Sequence, residues 1–258
     1  MADKRIRVTF LGTGTSIGIP VIACNCPVCK SSNLHDKRFR SSALVELDGL
    51  RLVIDCGPDF RYQMLKNKVD NIDAILFTHE HRDHIAGIDD IRAFNYILNK
   101  AIDIYGTSQV MDSIRTEFPY IFSENPYFGA PQLNINITKG RPFLIGTTEI
   151  NPIAVQHNKL QIYGYRIGDF TYITDANSIS PSSIEKIKGT KVLVINALRN
   201  TKHISHFSLS EALRVIEQIN PERAYLTHIS HFLGLHDEVE AKLPANVKLA
   251  YDNLVIEL

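Results

Sequence analysis

With 258 residues, 44% of them hydrophobic, and 28 basic against 28 acidic side chains, the chain can bury one sizeable core and lacks the charge excess that long nucleic acid attracts. No apolar run reaches the ~18 residues that span a bilayer, and the opening is charged and then strand-like, without the apolar core of a signal peptide, so the cytoplasm is the expected compartment. Of four cysteines, three stand together at Cys24, Cys26 and Cys29, which in a reducing compartment points to metal rather than to disulfides.

The first expected element is a strand over 6–11, followed by Gly12-Thr13-Gly14-Thr15-Ser16, which lacks the Gly-Lys-Ser/Thr ending of a phosphate loop. Strands over 43–47 and 50–55 flank Asp48-Gly49, a signal for a tight hairpin. An apolar strand over 73–77 precedes a helix over 85–98, whose stripe is Ile88, Ile91, Phe94, Ile97 and Leu98. A short strand over 102–105 and a helix over 108–118 follow. Residues 119–131, rich in aromatics and proline, read as a packed surface loop, with a lid or a subunit contact as the sharper alternative. One or two strands cover 143–155. Strands over 162–167 and 170–174 flank Gly168-Asp169, a second hairpin signal, and 191–195 reads as a buried strand. Ser208 and Glu211 fit a capping box before the stripe Leu213, Val215, Ile216 and Ile219, and Pro221 ends that helix ahead of a strand over 223–227. Without a linker or low-complexity tract, these elements suggest strand-rich layers with helices in one domain, 1–258.

Between the strand at 73–77 and its helix stands His79-Glu80-His81-Arg82-Asp83-His84, with four metal-ligand side chains in six residues. A loop there can aim imidazoles and a carboxylate into one cleft, and these are ligands that zinc, manganese or iron accept. More ligand types close later strands: His157 after 153–155, Asp175 after 172–174 and His228 after 225–227. Singly each reads as structural or solvated; with the cluster they make a set of seven.

In this order the chain resembles the metallo-β-lactamase superfamily of binuclear metallohydrolases over nearly its whole length, and Gly12 to Ser16 and Ile54-Asp55-Cys56-Gly57 match as well. The resemblance implies an α/β fold, an αββα sandwich of two mixed β-sheets flanked by helices, with the active site at one edge. It implies that His79, His81 and His157 bind one catalytic ion, that Asp83, His84 and His228 bind the other, that Asp175 bridges them and that Asp55 orients a ligand histidine. Two such ions ~3.5–4 Å apart hold a bridging hydroxide and clamp a phosphoryl oxygen.

Gly18-Ile19-Pro20 followed by Cys24-x-Cys26-x-x-Cys29 looks like the phosphoribosyl 1,2-cyclic phosphate phosphodiesterase group, in which three such cysteines and a histidine hold a structural zinc. His231 is at the matching place for the fourth ligand, and three thiolates with one imidazole suit a closed tetrahedral site. Cys56 reads as a core residue. His206 resembles the superfamily's phosphodiesterase histidine that assists the leaving group, and an imidazole with a pKa of about 6.5 suits that role. His203 is its competitor. His35 and His236 read as surface residues, His236 with the option of lining the site.

The implied activity is hydrolysis of a small, cyclic phosphodiester by a homodimer that carries two divalent ions (zinc or manganese, or iron) and one structural zinc. Neither a membrane nor long nucleic acid is an expected partner. One competing reading is a tRNA 3′-end endonuclease, against which stand the zero net charge and a short, nearly uncharged 123–132 region. Another is a role like that of the proteins of pyrroloquinoline quinone biosynthesis, which share the cysteine-bearing segment. Thioester or β-lactam hydrolysis is a third, weakened by Asp83 and His206.

Overall fold

The computed structural model describes residues 5–258, so the charged opening at 1–4 lies outside the described residues. One sheet holds β1 (Ile6–Gly12), β2 (Ser42–Leu47), β3 (Leu50–Ile54), β4 (Ala74–Leu76), β5 (Ile102–Gly106) and β6 (Leu133–Ile137), with β14 (Val255–Glu257) beside β1. The other runs in chain order from β7 (Phe143–Ile145) through β8 (Thr148–His157), β9 (Leu160–Ile167), β10 (Phe170–Ile173), β11 (Val192–Asn196) and β12 (Arg223–Thr227) to β13 (Val247–Leu249). Both sheets are mixed. The first is antiparallel from β14 to β3 and parallel from β3 to β6. The second is antiparallel from β7 to β10 and parallel from β10 to β13.

The central strands are buried on both faces, which explains their continuous apolar runs. On β11, Val192 and Val194 face the other sheet while Leu193 and Ile195 face the helices. Phe10, Val45, Ile54 and Leu76 of the first sheet meet Tyr165, Tyr172 and Tyr225 of the second. Phe60, Phe94, Val110 and Ile114 cover the outer face of the first sheet, and Ile184, Ala212 and Ile216 that of the second. The layers are therefore helix, sheet, sheet, helix, as expected. Among the described residues no helix is long and apolar enough to cross a membrane.

The helix expected over 85–98 starts earlier and is broken. It consists of Arg82–Ile85, a 3-10 turn at Ile88–Ile91 and a helix at Arg92–Leu98. The break is a close approach of backbones: Gly87 N–H donates to Cys56 O at 2.8 Å, and a Cβ at Gly87 would stand 2.2 Å from Gly57 O. The helices Phe60–Lys66 and Pro181–Ile187 and the strands β6, β13 and β14 were not expected. The edge strands are short or polar, and the two helices span seven residues each, so neither gives a long periodic stripe. The capping box forms in altered guise: Ser208 N–H and Ser208 Oγ both donate to Glu211 Oε2, at 2.9 and 2.7 Å.

The 119–131 segment divides. Tyr120 and Phe122 pack against the core, and Tyr120 OH donates to Asp89 Oδ1 at 2.6 Å, while Phe128 is 96% exposed. His236, expected at the surface, is buried at the start of the helix His236–Glu240; buried Arg38 donates to its Nδ1 at 3.0 Å, and it does not enter the site.

Tyr165 ties the two sheets where β4 leaves for the His79 loop. Its hydroxyl donates to Phe77 O at 2.6 Å, in the core. Tyr165→Phe leaves that carbonyl without a donor and should lower unfolding stability by about 1–3 kcal/mol in urea titration; an unchanged midpoint would show that the bond contributes nothing.

Candidate metal centre

The parallel strands of both sheets end at one edge, and the seven expected ligands and Asp55 leave from there. Asp55 follows β3, His79 lies just past β4, His157 closes β8, Asp175 lies just past β10 and His228 follows β12. Three of these residues, Asp55 (φ +63°), Asp175 (φ +59°) and His228 (φ +53°), sit in the left-handed backbone region. Non-glycine residues there cost about 1–3 kcal/mol each and cluster at functional sites, where the sharp turn re-aims the side chain.

Two donor groups result. His79, His81 and His157 form one, and Asp83, His84, Asp175 and His228 the other; within each group the candidate atoms lie within 4.8 Å of one another. Asp175 links them: its Oδ2 is 3.8 Å from His79 Nε2 and 3.5 Å from His84 Nε2, and its Oδ1 is 3.0 Å from His228 Nδ1. His79 Nε2 and His81 Nδ1 are 3.1 Å apart. Two ligands of one tetrahedral ion stand roughly 3.3–3.7 Å apart, a comparable spacing.

The outer hydrogen bonds set the ring tautomers. His157 Nδ1 lies 2.5 Å from Asp175 O and 2.8 Å from Ser205 O, and carbonyls only accept, so Nδ1 carries the proton and Nε2 is bare. His84 Nδ1 donates to Asp55 Oδ2 at 2.7 Å, which is the orienting contact expected of Asp55. Thr78 Oγ1 gives its proton to Asp55 Oδ2 at 2.8 Å and therefore accepts from His79 Nδ1 at 3.0 Å.

Charge follows geometry. Burial and the neighbouring His84 hold His79 well below the usual imidazole range, and burial lowers His157 and takes His228 down to about 4. Burial works to raise Asp175 and Asp83 and is overcome by the surrounding histidines, which keep both carboxyls ionised. Neutral imidazoles and ionised carboxylates are the forms that bind metal. His84 departs from this: burial lowers it, but Asp83, Asp175 and Asp55 together push it well above the usual range. Its Nε2 is buried and makes no hydrogen bond, although Asp83 Oδ2 is 3.1 Å away at an unfavourable angle. A buried nitrogen without a hydrogen-bond partner, aimed among carboxylates, is what a cation between them would use; the residues fit a divalent ion.

His206 stands at the mouth. Its Nε2 is 3.1 Å from Asp175 Oδ2, and its ring lies 4.7 Å from His157 and 4.9 Å from His228. His203 meets Ser205 and His206, the latter Nδ1 to Nδ1 at 3.2 Å, and makes no hydrogen bond or ion pair with Asp175 among the described residues. Geometry thus separates two histidines that sequence left in competition.

Cys24, Cys26 and Cys29 gather around His231. Their Sγ atoms are 3.3, 3.4 and 3.5 Å from His231 Nδ1. One N–H cannot point at three sulfurs, whereas a tetrahedral zinc sets each sulfur roughly 3.5 Å from the imidazole nitrogen. The Cys29 backbone N–H holds the Cys26 thiol down to about 6, and burial pushes Cys29 up to about 11. Ile19, Val28 and Leu235 wrap the cluster in apolar side chains. Cys56 is fully buried, its thiol raised well above the usual range by burial, as suits a core residue.

His35, His236 and Asp237 also stand within mutual ligand distance. Arginine only donates, so the Arg38 bond leaves His236 Nδ1 as the acceptor and the proton on Nε2; that ring is no metal ligand. A cavity of about 980 Å³ lies at the opposite ends of the strands, lined by Thr148, Ile167 and Asp169, away from the chemistry.

Sequence reading missed Thr78 and Thr174. A signal was present: Thr78-His79, Thr174-Asp175 and Thr227-His228 each place a threonine before a ligand at a strand end. Thr78 and Thr174 turn their hydroxyls to Asp55 Oδ2 and Asp175 Oδ1.

Comparison with known proteins adds three likenesses and one domain. The profile of the β-lactamase superfamily domain matches residues 50–229. A crystal structure described as a new diphosphatase from the PhnP family superposes with a TM-score of 0.93 at 37% identity, covering 98% of this chain and 97% of that one. An octanoyltransferase of Porphyromonas gingivalis is 40% identical over 252 residues, 96% of this chain and 51% of that protein. A ribonuclease Z of a Nostoc species is 27% identical over 170 residues, 64% of this chain and 47% of that protein. The chain thus spans about half the length of these two curated relatives.

Proposed function

This chain belongs to the metallo-β-lactamase superfamily of metal-dependent hydrolases, and from that premise we propose that it hydrolyses a small phosphodiester. The observation that carries the reading is His206, an imidazole beside the carboxylate that links two donor groups. His79, His81 and His157 would hold one divalent ion, Asp83, His84 and His228 the other, and Asp175 would touch both. Bound there, zinc, manganese or iron would lower the pKa of a water molecule and offset charge on the phosphoryl oxygens. Water oxygen forms the new bond to phosphorus and the bond to the departing alkoxide breaks. His206 gives that alkoxide its proton. Asp55, through Nδ1–H of His84, and Thr78, through Nδ1–H of His79, keep the inward nitrogens bare. Cys24, Cys26, Cys29 and His231 would hold a structural zinc.

The likeness to a diphosphatase supports phosphorus as the atom attacked, and a diphosphate with both ends esterified belongs on the substrate panel. The likeness to an octanoyltransferase favours a second reading, acyl chemistry. A covalent acyl transfer needs an accessible nucleophile. Cys56 is buried, and the other three thiols are gathered around His231. A thiol route is therefore disfavoured, and the acyl chemistry that the donor groups themselves suit would be thioester hydrolysis by water.

Turnover of phosphoribosyl 1,2-cyclic phosphate, a bis-aryl phosphate, a diesterified diphosphate, a precursor tRNA and an octanoyl thioester, with zinc or manganese, separates these readings. Fast hydrolysis of a small phosphorus diester is expected. Silence on the phosphorus substrates with turnover of the thioester would overturn the proposal. His206→Ala should lower kcat about 10²–10⁴-fold on alkyl esters. On a nitrophenyl leaving group, which needs no proton, the loss should be far smaller. Equal losses on both would remove His206 as the proton donor.

A further inference from the structure

We propose that His203 is a positioning residue for His206: its Nδ1 accepts, directly or through Ser205, the Nδ1–H of the His206 ring, and so keeps the opposite nitrogen, Nε2, at the metal centre. This rests on the reading of His206 as the proton donor. The two polar contacts of His206 lie on opposite nitrogens of one ring. Nε2 is 3.1 Å from Asp175 Oδ2, and Nδ1 is 3.2 Å from His203 Nδ1. The proton in each gap can be placed. A carboxylate only accepts, so Nε2 carries the proton that faces Asp175. The Ser205 backbone N–H donates to His203 Nδ1 at 3.4 Å, so that nitrogen is a lone pair and the neutral His203 ring keeps its proton on Nε2. A bare Nδ1 on His206 would set two lone pairs against each other across 3.2 Å. The proton in that gap therefore belongs to His206. Ser205 Oγ, 3.0 Å from His206 Nδ1 and 3.3 Å from His203 Nδ1, offers a second route, accepting from the first ring and donating to the second. Both routes end on the His203 lone pair.

Burial, with the charges of His206 and Arg199, holds His203 below the usual imidazole range, which keeps that lone pair available. The backbone around His206 is fixed, so only the aim of its ring is left to set. Ser205 O accepts from His157 Nδ1 at 2.8 Å, Ile204 O from Asn177 Nδ2 at 2.9 Å, and Phe207 N–H donates to Ala176 O at 2.7 Å. The ring lies nearly flat on His228, at 12°, and edge-on to His157, at 78°. Such packing does not tell one edge of an imidazole from the other, and a flip about Cβ–Cγ would trade Nδ1 for Cδ2 and Nε2 for Cε1. The bond to His203 selects the orientation with Nε2 beside Asp175. When Nε2–H goes to the departing alkoxide, Nδ1–H stays with His203 and the ring keeps its place. Asp55 stands in the same relation to His84, with a carboxylate where His203 offers an imidazole lone pair.

Nitrogen-15 NMR of the zinc-loaded chain, labelled at histidine, reads the ring protons directly. The expected spectrum has His206 protonated on Nδ1 and His203 bare there. His203→Ala should lower kcat about 10–100-fold on phosphoribosyl 1,2-cyclic phosphate, whose departing sugar alkoxide needs a proton, with KM little changed and both catalytic ions retained. Turnover of a bis-nitrophenyl phosphate should stay close to the parent's. His203→Asn, which keeps an acceptor close to the place of Nδ1, should recover part of the loss. His203→Leu, which keeps bulk without an acceptor, serves where the alanine variant does not fold. In a His206→Ala chain, His203→Ala should add nothing, since it acts only through His206. A His206 ring bare on Nδ1, equal losses on the two esters, loss of a catalytic ion, or an undiminished kcat on the cyclic ester would overturn the proposal. Failure of the proton-donor reading shows separately, in the single His206→Ala chain, as equal losses on the two esters, and that result overturns the positioning role with it.

Discussion

Asp175→Ala lowers kcat by more than about 10³-fold and leaves a folded chain: this is the largest expected effect. A single carboxylate faces His79 and His84 with one oxygen and His228 with the other, and the first oxygen also meets His206 at 3.1 Å. Removing it takes a ligand from both donor groups and a partner from the proton donor. A bound ion is worth several kcal/mol of transition-state stabilisation, and each 1.36 kcal/mol or so is tenfold in rate. The side chain is 2% exposed but lies at the strand ends, away from the apolar layers, so the fold should survive. Steady-state kinetics with metal analysis on the same sample decides the matter. Activity within tenfold of the parent, with both ions present, would sink the two-ion mechanism. His81→Ala, which touches one group alone, should lose one ion.

Cys26→Ser has the second largest effect, on stability rather than on chemistry. The variant should carry one zinc fewer and melt at lower temperature. Zinc bound by isolated finger peptides is worth ~10–16 kcal/mol, but those peptides have no other core. Here three apolar clusters stand without the cysteine site. A loss of about 3 kcal/mol is a reasonable share, and for a chain this long it moves the melting temperature down about 6–12 °C. The site joins the 24–29 loop to the segment after β12, where Thr15 N–H donates to Ile229 O at 3.0 Å, one residue from His228. A modest fall in kcat should accompany the loss at elevated temperature. Unchanged zinc content together with unchanged melting would refute a structural metal.

Much of the fold is legible because its signals are short-range. Asp48-Gly49 and Gly168-Asp169 mark hairpins that form, with Asp48, Gly49 and Gly168 at positive φ. The hairpin joining β8 to β9 turns at Asn158-Lys159 and was missed, since Asn158 takes the left-handed conformation without a glycine beside it. The helix break at Gly87 was missed for another reason. Apolar periodicity continues through it, and the requirement for a glycine comes from the Gly57 carbonyl and Phe60 packed against it. His236 went astray in the same way: its burial depends on Arg38, 198 residues away in the chain.

The sequence by itself determined the ligand types, their order and the strand ends that carry them. Those features depend on residues close in the chain: the spacing within 79–84, apolar runs that stop at His157, Asp175 and His228, and three cysteines within six positions. Tertiary structure alone decided which nitrogen of each ring faces inward, which histidine meets Asp175 and which sulfurs share one imidazole. The deciding contacts cross 29 residues from Asp55 to His84, 31 from Asp175 to His206 and 207 from Cys24 to His231. A proton's place on an imidazole follows from the acceptor opposite it, and that acceptor is brought there by the packing of the two sheets.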